Sequence, residues 1–286
     1  MGNNMVNVKI INSAYSIADE YYEINKTKAT SKSYKNPGLS SKGYETIFRS
    51  RNVIKDYIGN PDIIISSPLK RAIQTCLLVF NSEITTPIRL VPLVTEFENI
   101  IENKGNARNI LKIDPELIGH INFKNIDFSN DKNNLLYYDF GWRRVFESGW
   151  ENDSSKIKVL DKSLSWFESD NQIILNEDMR IETFKEFLSN SEFSSKTIVI
   201  FSHTSFIKKL FNKFPDNLAT VSFTFDQKTK NIKLNEIIDF ELISTHNKDI
   251  NVKKTKYLKM RDPNYDIVSD RHIRMYKNNV TEIVYI

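Results

Sequence analysis

Four short segments of this chain carry residues able to handle an anion, and each stands near the end of an apolar, β-rich run. They are Asn12 with Ser13, the stretch from Ser66 to Arg71, the segment beginning at Glu96, and His203 with Thr204. Arginine offers a planar fork that meets two oxyanion oxygens at once. An imidazole can act as nucleophile, as base or, when charged, as donor. A carboxylic acid can protonate a leaving oxygen. A serine hydroxyl such as that of Ser13 needs a base or a metal before it attacks anything, and His203 is the candidate base. A strand that ends and feeds a helix aims backbone N–H groups at the same anion.

The elements that must position these residues follow from the pattern around them. Residues 6–11 are β-rich and read as a first strand. Residues 26–41, with Pro37 and Gly38, read as a loop. From Ser41 onward Tyr44, Ile47, Val53, Ile54 and Ile58 fall near helical spacing, and Asn60-Pro61 ends that helix. Residues 62–65 are apolar in the manner of a buried parallel strand. Pro68 fits the first turn of the next helix, which carries Arg71, Thr75, Leu78 and Phe80. Residues 88–91 make a third strand. Residues 177–189 form a helix with Met179, Ile181, Phe184 and Phe187 as its apolar stripe, and residues 197–201 are the strongest buried-strand signal in the chain. A helix over residues 206–214 is stopped by Pro215, and residues 221–225 and 232–242 suggest a hairpin.

Strands alternating with helices predict an α/β fold, a three-layer α/β/α sandwich with a mainly parallel central sheet. Ligands in such sheets bind beyond the carboxyl ends of the strands, where the four segments stand. The expected organisation is one α/β domain over residues 1–242 and a basic extension over residues 243–286 that packs on it. Within the domain, residues 99–176 form an insertion that holds all three tryptophans, Trp142, Trp150 and Trp166, and caps the sheet edge.

Ser66-Ser67-Pro68-Leu69-Lys70-Arg71-Ala72-Ile73-Gln74-Thr75 resembles the S-P-L-x-R-A-x-Q-T segment of the histidine phosphatase superfamily, the phosphoglycerate mutase-like proteins. Leu39-Ser40-Ser41-Lys42-Gly43 resembles that family's L-T-x-x-G turn. Phe201-Ser202-His203 lies at the centre of a segment similar to V-x-S-H-x-x-x-I, and Arg180, Phe184 and Leu188 match the R-x-x-x-F-x-x-x-L helix before it. Val94-Thr95-Glu96 sits where the family places its acid, and Gly105-Asn106-Ala107-Arg108 with Leu111 resembles a glycine-containing turn of one branch. The pieces run in order from about residue 6 to 242.

The resemblance implies a phosphate pocket built from Asn12, Arg71, His203 and Thr204, with Glu96 as acid. The family's first strand ends in R-H-G, an arginine for phosphate and the histidine nucleophile. This chain has Asn12-Ser13-Ala14 there, and no histidine occurs in residues 1–119. Ser13 therefore stands at the nucleophile position as a substituted residue. Three functions are compatible with this: a pseudophosphatase that binds a phosphorylated small molecule or a phosphoprotein, a phosphomonoesterase or mutase with a non-standard nucleophile, and a scaffold with a vestigial pocket. Arg271-His272-Ile273 copies R-H-G on paper but follows no apolar strand, and His120 and His246 belong to no motif.

The chain has 286 residues, 40% hydrophobic and 27% charged, the balance of a globular protein. A net charge of +4 is too small to argue for nucleic acid, and the basic run around Lys253 and Lys254 reads as a solvated face. One cysteine, Cys76, cannot close an internal disulfide. No apolar run approaches the ~20 residues that span a bilayer. A cytoplasmic protein is expected, with a homodimer as the default assembly. No Cys/His spacing suggests zinc and no glycine-rich loop cradles a nucleotide, so neither metal nor cofactor is expected.

Overall fold

The computed structural model describes residues 4–97, 100–103, 105–106, 108–128, 177–244, 250–255 and 283–285. The tryptophans, His246 and Arg271-His272-Ile273 lie outside the described residues.

The chain begins with β1, Met5–Asn12, and a helix α1, Ile17–Asn25. Sequence patterning passed over α1. Its start is a capping box in which Ser16 Oγ accepts from Asp19 N while the Asp19 carboxylate accepts from Ser16 N. Helix α2, Ser41–Ile58, starts on Ser40, whose hydroxyl accepts from Gly43 N. Gly43 has a specific reason to be glycine: a Cβ there would stand 2.1 Å from the Tyr15 carbonyl oxygen. Ser40 N donates to that same carbonyl at 3.0 Å, so the Leu39–Gly43 turn is docked on the chain just past β1. Helix α2 ends one step earlier than expected, at Gly59 with a positive φ.

Strand β2, Ile63–Ser66, is buried throughout, and helix α3, Lys70–Val79, buries every residue from Arg71 to Val79. Pro68 lies before this helix rather than in its first turn, because Leu69 is the N-cap. Strand β3, Ile88–Leu90, follows. Past helices α4, Arg108–Lys112, and α5, Pro115–Ile118, the described part of the segment after it supplies an edge strand β4, Ile126–Asp127. Helix α6 spans Glu177–Leu188 and β5 spans Thr197–Ser202. Helix α7, Thr204–Phe211, starts two residues earlier than its apolar pattern suggests and stops at Asn212 in the left-handed conformation, before Pro215 acts. Strands β6, Thr220–Asp226, and β7, Asn231–Ile238, form the expected hairpin. The second run then breaks at Asp239. Its remainder, β8, Phe240–Ser244, pairs with β9, Ile250–Thr255, which pairs with β10, Ile283–Tyr285.

Among the described residues the main sheet has seven strands in the order β4-β3-β2-β5-β1-β6-β7. The pairs from β4 to β1 are parallel; β6 runs antiparallel to both β1 and β7. Successive residues of a strand face opposite sides of a sheet. The run Ile198, Val199, Ile200 and Phe201 is fully buried, so β5 is covered on both faces, as the sandwich requires. The core joins these strands to Phe184, Phe187 and Phe206 from helices α6 and α7.

This order creates the site. The chain leaves β1, passes over the place of β5 to form β2, builds outward to β4 and returns to insert β5 between β2 and β1. Register pairs Asn12 with Ser202 on one side of β5 and Ser66 with Phe201 on the other. Two further backbone bonds carry the alignment past the strand ends: Ser13 N donates to Ser202 O and Ser67 N to Phe201 O, each at 2.9 Å. Ser13, His203 and Ser67 are thereby set abreast on one edge.

Candidate functional site

His203 is the centre of that edge and is 1% exposed. Its Nε2 lies 2.8 Å from Ser67 Oγ and its Nδ1 lies 3.4 Å from Ser13 Oγ. The first is a good hydrogen bond; the second is at the long limit. Ser67 Oγ also accepts from Leu69 N at 3.2 Å, which ties the imidazole to the entry of α3. Burial, and then the positive charges of Arg71 and Arg180, hold the His203 pKa well below its ordinary value. The shift favours the uncharged ring, which weakens it both as a charged donor to an anion and as a base.

Arg71 stands on the first turn of α3 and is 6% exposed. Its Nη1 donates to the Glu102 carbonyl at 3.2 Å and its Nη2 to Asn103 Oδ1 at 2.7 Å. Glu96 Oε2 lies 3.9 Å from the same Nη2. The other carboxylate oxygen, Glu96 Oε1, accepts from Ser205 N at 3.1 Å. Ser205 is the second residue of α7, so the carboxylate caps the positive end of that helix from a distant part of the chain. Ser205 returns the contact, its Oγ accepting from Phe97 N at 2.9 Å.

Asn12 sits at the end of β1 and turns its amide toward α7. Its Nδ2 faces Thr204 Oγ1 at 2.9 Å, Asp216 O at 2.9 Å and Pro215 O at 3.4 Å. Asn12 and Thr204, both expected at the anion, thus face each other and the turn after α7. Ala14 N donates to Thr75 Oγ1 at 3.1 Å, and that hydroxyl donates to Arg71 O at 2.7 Å, so α3 is fastened to the end of β1.

Two residues matter here beyond the expected set. Ser67 was legible only as part of the motif containing Arg71. Arg180 was legible as a helix-motif residue, yet it lies inside the site's wall, 2% exposed. Its Nη1 donates to Thr95 Oγ1 at 3.1 Å and its Nη2 to Thr95 O at 2.7 Å. The guanidinium lies 3.8 Å above the centre of the Phe97 ring. Burial pushes its pKa down to about 9, with Glu96 and Glu177 pulling the other way. Arg180 holds the Thr95 carbonyl and the Phe97 ring, the two neighbours of Glu96.

Ser13, Arg71, Glu96, His203 and Thr204 are therefore gathered at one end of the sheet, with Asn12 behind them. Of the remaining histidines, His120 follows α5 in a turn and burial lowers its pKa. Among the described residues no group of three His, Cys, Asp or Glu side chains is placed to hold a metal ion. No described helix is long and apolar enough to cross a membrane.

No family model matches the chain, and no curated protein matches it. Several solved structures are similar to it. One is a phosphoserine phosphatase from Entamoeba histolytica in complex with 3-phosphoglyceric acid, at 18% identity over 81% of this chain and 95% of that one, with a TM-score of 0.43. Another is a phosphoglycerate mutase from Bacillus anthracis, at 15% identity over 82% and 93%, with a TM-score of 0.46. The protein histidine phosphatase SixA, solved with tungstate, is similar at 13% identity over 81% and 95%, with a TM-score of 0.37. The α/β fold of this chain stands on its own strand order and pairing.

Proposed function

We propose that the chain is a histidine-phosphatase-fold protein that binds a phosphorylated ligand at the ends of β1, β2 and β5 and lacks the covalent phosphohistidine step. One observation carries the reading. At the end of β1, where the family resemblance calls for a nucleophilic imidazole, Ser13 stands 3.4 Å from His203 Nδ1. The adjoining Asn12, in place of an arginine, is engaged with Thr204 and the turn after α7. What supports anion binding is Arg71, a buried cationic fork on the first turn of α3 past β2, with His203 buried past β5. A pocket with a cationic fork and no imidazole nucleophile favours binding over turnover.

Calorimetric titration with inorganic phosphate tests this. Wild type is expected to bind saturably and Arg71→Ala to bind roughly tenfold or more weakly, the loss of a charge-assisted contact. Equal affinity in the two proteins would contradict the assignment of Arg71.

A second reading is favoured by the geometry of Ser13 and His203. An imidazole nitrogen 3.4 Å from a serine hydroxyl stands where a base would, which would make Ser13 a nucleophile and the protein a phosphomonoesterase by an unusual route, although burial and the neighbouring arginines weaken the ring as a base. Phosphate release lost in both Ser13→Ala and His203→Ala, in metal-free buffer, is the signature of that reading.

A further inference from the structure

We infer that the anion pocket is held closed by the protein's own oxygens, and that Glu96 and Asn103 compete with an incoming phosphate for Arg71. The inference rests on the phospho-ligand reading above and adds how that site is regulated.

The charged donor at this edge is the Arg71 fork, and the backbone donor it faces across Glu96 is Ser205 N, which opens α7. Both already meet acceptors from the segment after β3. Arg71 Nη1 is met by the Glu102 carbonyl at 3.2 Å, and Nη2 by Asn103 Oδ1 at 2.7 Å. Ser205 N, which has no acceptor within its own helix at that position, is met by Glu96 Oε1 at 3.1 Å. The second oxygen of the same carboxylate lies 3.9 Å from Arg71 Nη2. One side chain thus presents negative charge to both donors, as a bound phosphate would. The Arg180 guanidinium is committed to Thr95 and gives this carboxylate a fixed backbone to project from.

Exchange is sterically reasonable. The Glu96 side chain is 15% exposed, against 7% for that of Arg71, so it is the outer member of the pair. Ser205 Oγ holds Phe97 N at 2.9 Å, which keeps the backbone anchored while the carboxylate turns away. A dianion entering beside Glu96 without displacing it would face like-charge repulsion in a partly buried setting. Ligand affinity is therefore set by the difference between the external anion and the internal one. A Glu96 held protonated, as a proton donor to a leaving oxygen must be when it acts, would lose no charge in Glu96→Gln, and that substitution would then tighten nothing.

The experiment is calorimetric titration of inorganic phosphate into the full chain as wild type, Glu96→Gln, Asn103→Ala and Glu96→Gln combined with Arg71→Ala. Glu96→Gln is expected to tighten phosphate binding roughly tenfold or more, the scale of one like charge removed from a partly buried site. Asn103→Ala is expected to tighten it by a smaller factor, and the double variant to lose the gain. Asn103 takes no part in capping α7, so its result decides the matter if thermal melts show Glu96→Gln to be poorly folded. Wild-type binding that neither single variant tightens overturns the inference and leaves the phospho-ligand reading standing. Phosphate binding by none of the four proteins overturns that reading itself.

Discussion

The carboxyl ends of β1 and β2 flank the same strand, β5, and feed the same edge of the sheet, yet they are furnished differently. Past β2 the chain presents Ser67 to the His203 ring at 2.8 Å and places Arg71 on the opening turn of a buried helix. Past β1 it presents only a serine at 3.4 Å and an asparagine engaged with Thr204 and the turn that follows α7. The backbone treatment is nonetheless equivalent, since Ser13 N and Ser67 N make matching bonds to β5. The difference teaches that this fold separates positioning from chemistry. Parallel register delivers a residue to the place beside His203 whatever its side chain is, and the side chain alone decides what can be done there.

That contrast can be strained most by attacking the wall behind Glu96. Arg180→Leu removes a buried guanidinium and leaves the carbonyl and hydroxyl of Thr95 without their donor. A loss of about 2–4 kcal/mol in unfolding free energy is expected from urea denaturation. A loss below about 1 kcal/mol would mean that Arg180 is not the anchor of this segment.

The next effect is one of pH. The native fold excludes the proton that His203 binds once unfolded, near its ordinary value of 6.5. Its contribution to stability is therefore full above that value and is lost as pH falls through the window below it, by up to about 1.4 kcal/mol per pH unit. His120, whose pKa burial also lowers, acts in the same direction and is the control. Denaturation between about pH 6.5 and 5 should show a slope that His203→Gln reduces more than His120→Gln does.

The smallest effect is the direct comparison of the two strand ends. Thr75→Val keeps the shape of a fully buried residue but leaves Ala14 N without its acceptor, at about 1–2 kcal/mol. Ser13→Ala removes only a long contact to His203 and should change stability by less than about 1 kcal/mol. The reverse order would mean that Ser13 has a structural duty of its own.

Much of this arrangement was legible in the amino-acid sequence. Strands β2 and β5 are nearly continuous apolar runs because both faces are covered, whereas a strand with one wet face alternates apolar and polar residues. His203 could be placed because it follows such a run at once, and Arg71 because it lies on the first turn of the helix that follows one. Helix α1 escaped notice because its capping box uses Asp19 where glutamate or glutamine is the usual signal. The early start of α7 is set by Glu96, a partner far away in the chain, which no local pattern displays. Arg180 presented the same difficulty: a charged residue on a helix ordinarily faces water, and only the packed structure shows its fork closed on Thr95. The commitments of Asn12 and of the Arg71 fork were equally invisible, since they join segments brought together by the crossover into β5.

The most direct test of the central claim is phosphate release from a generic aryl phosphate and a panel of phosphate monoesters. Wild type, Ser13→His and His203→Ala are compared in metal-free buffer with folding verified for each. The account predicts no turnover by wild type or His203→Ala, and gain of turnover or of a trapped phosphohistidine in Ser13→His. Turnover by wild type that His203→Ala abolishes would contradict it.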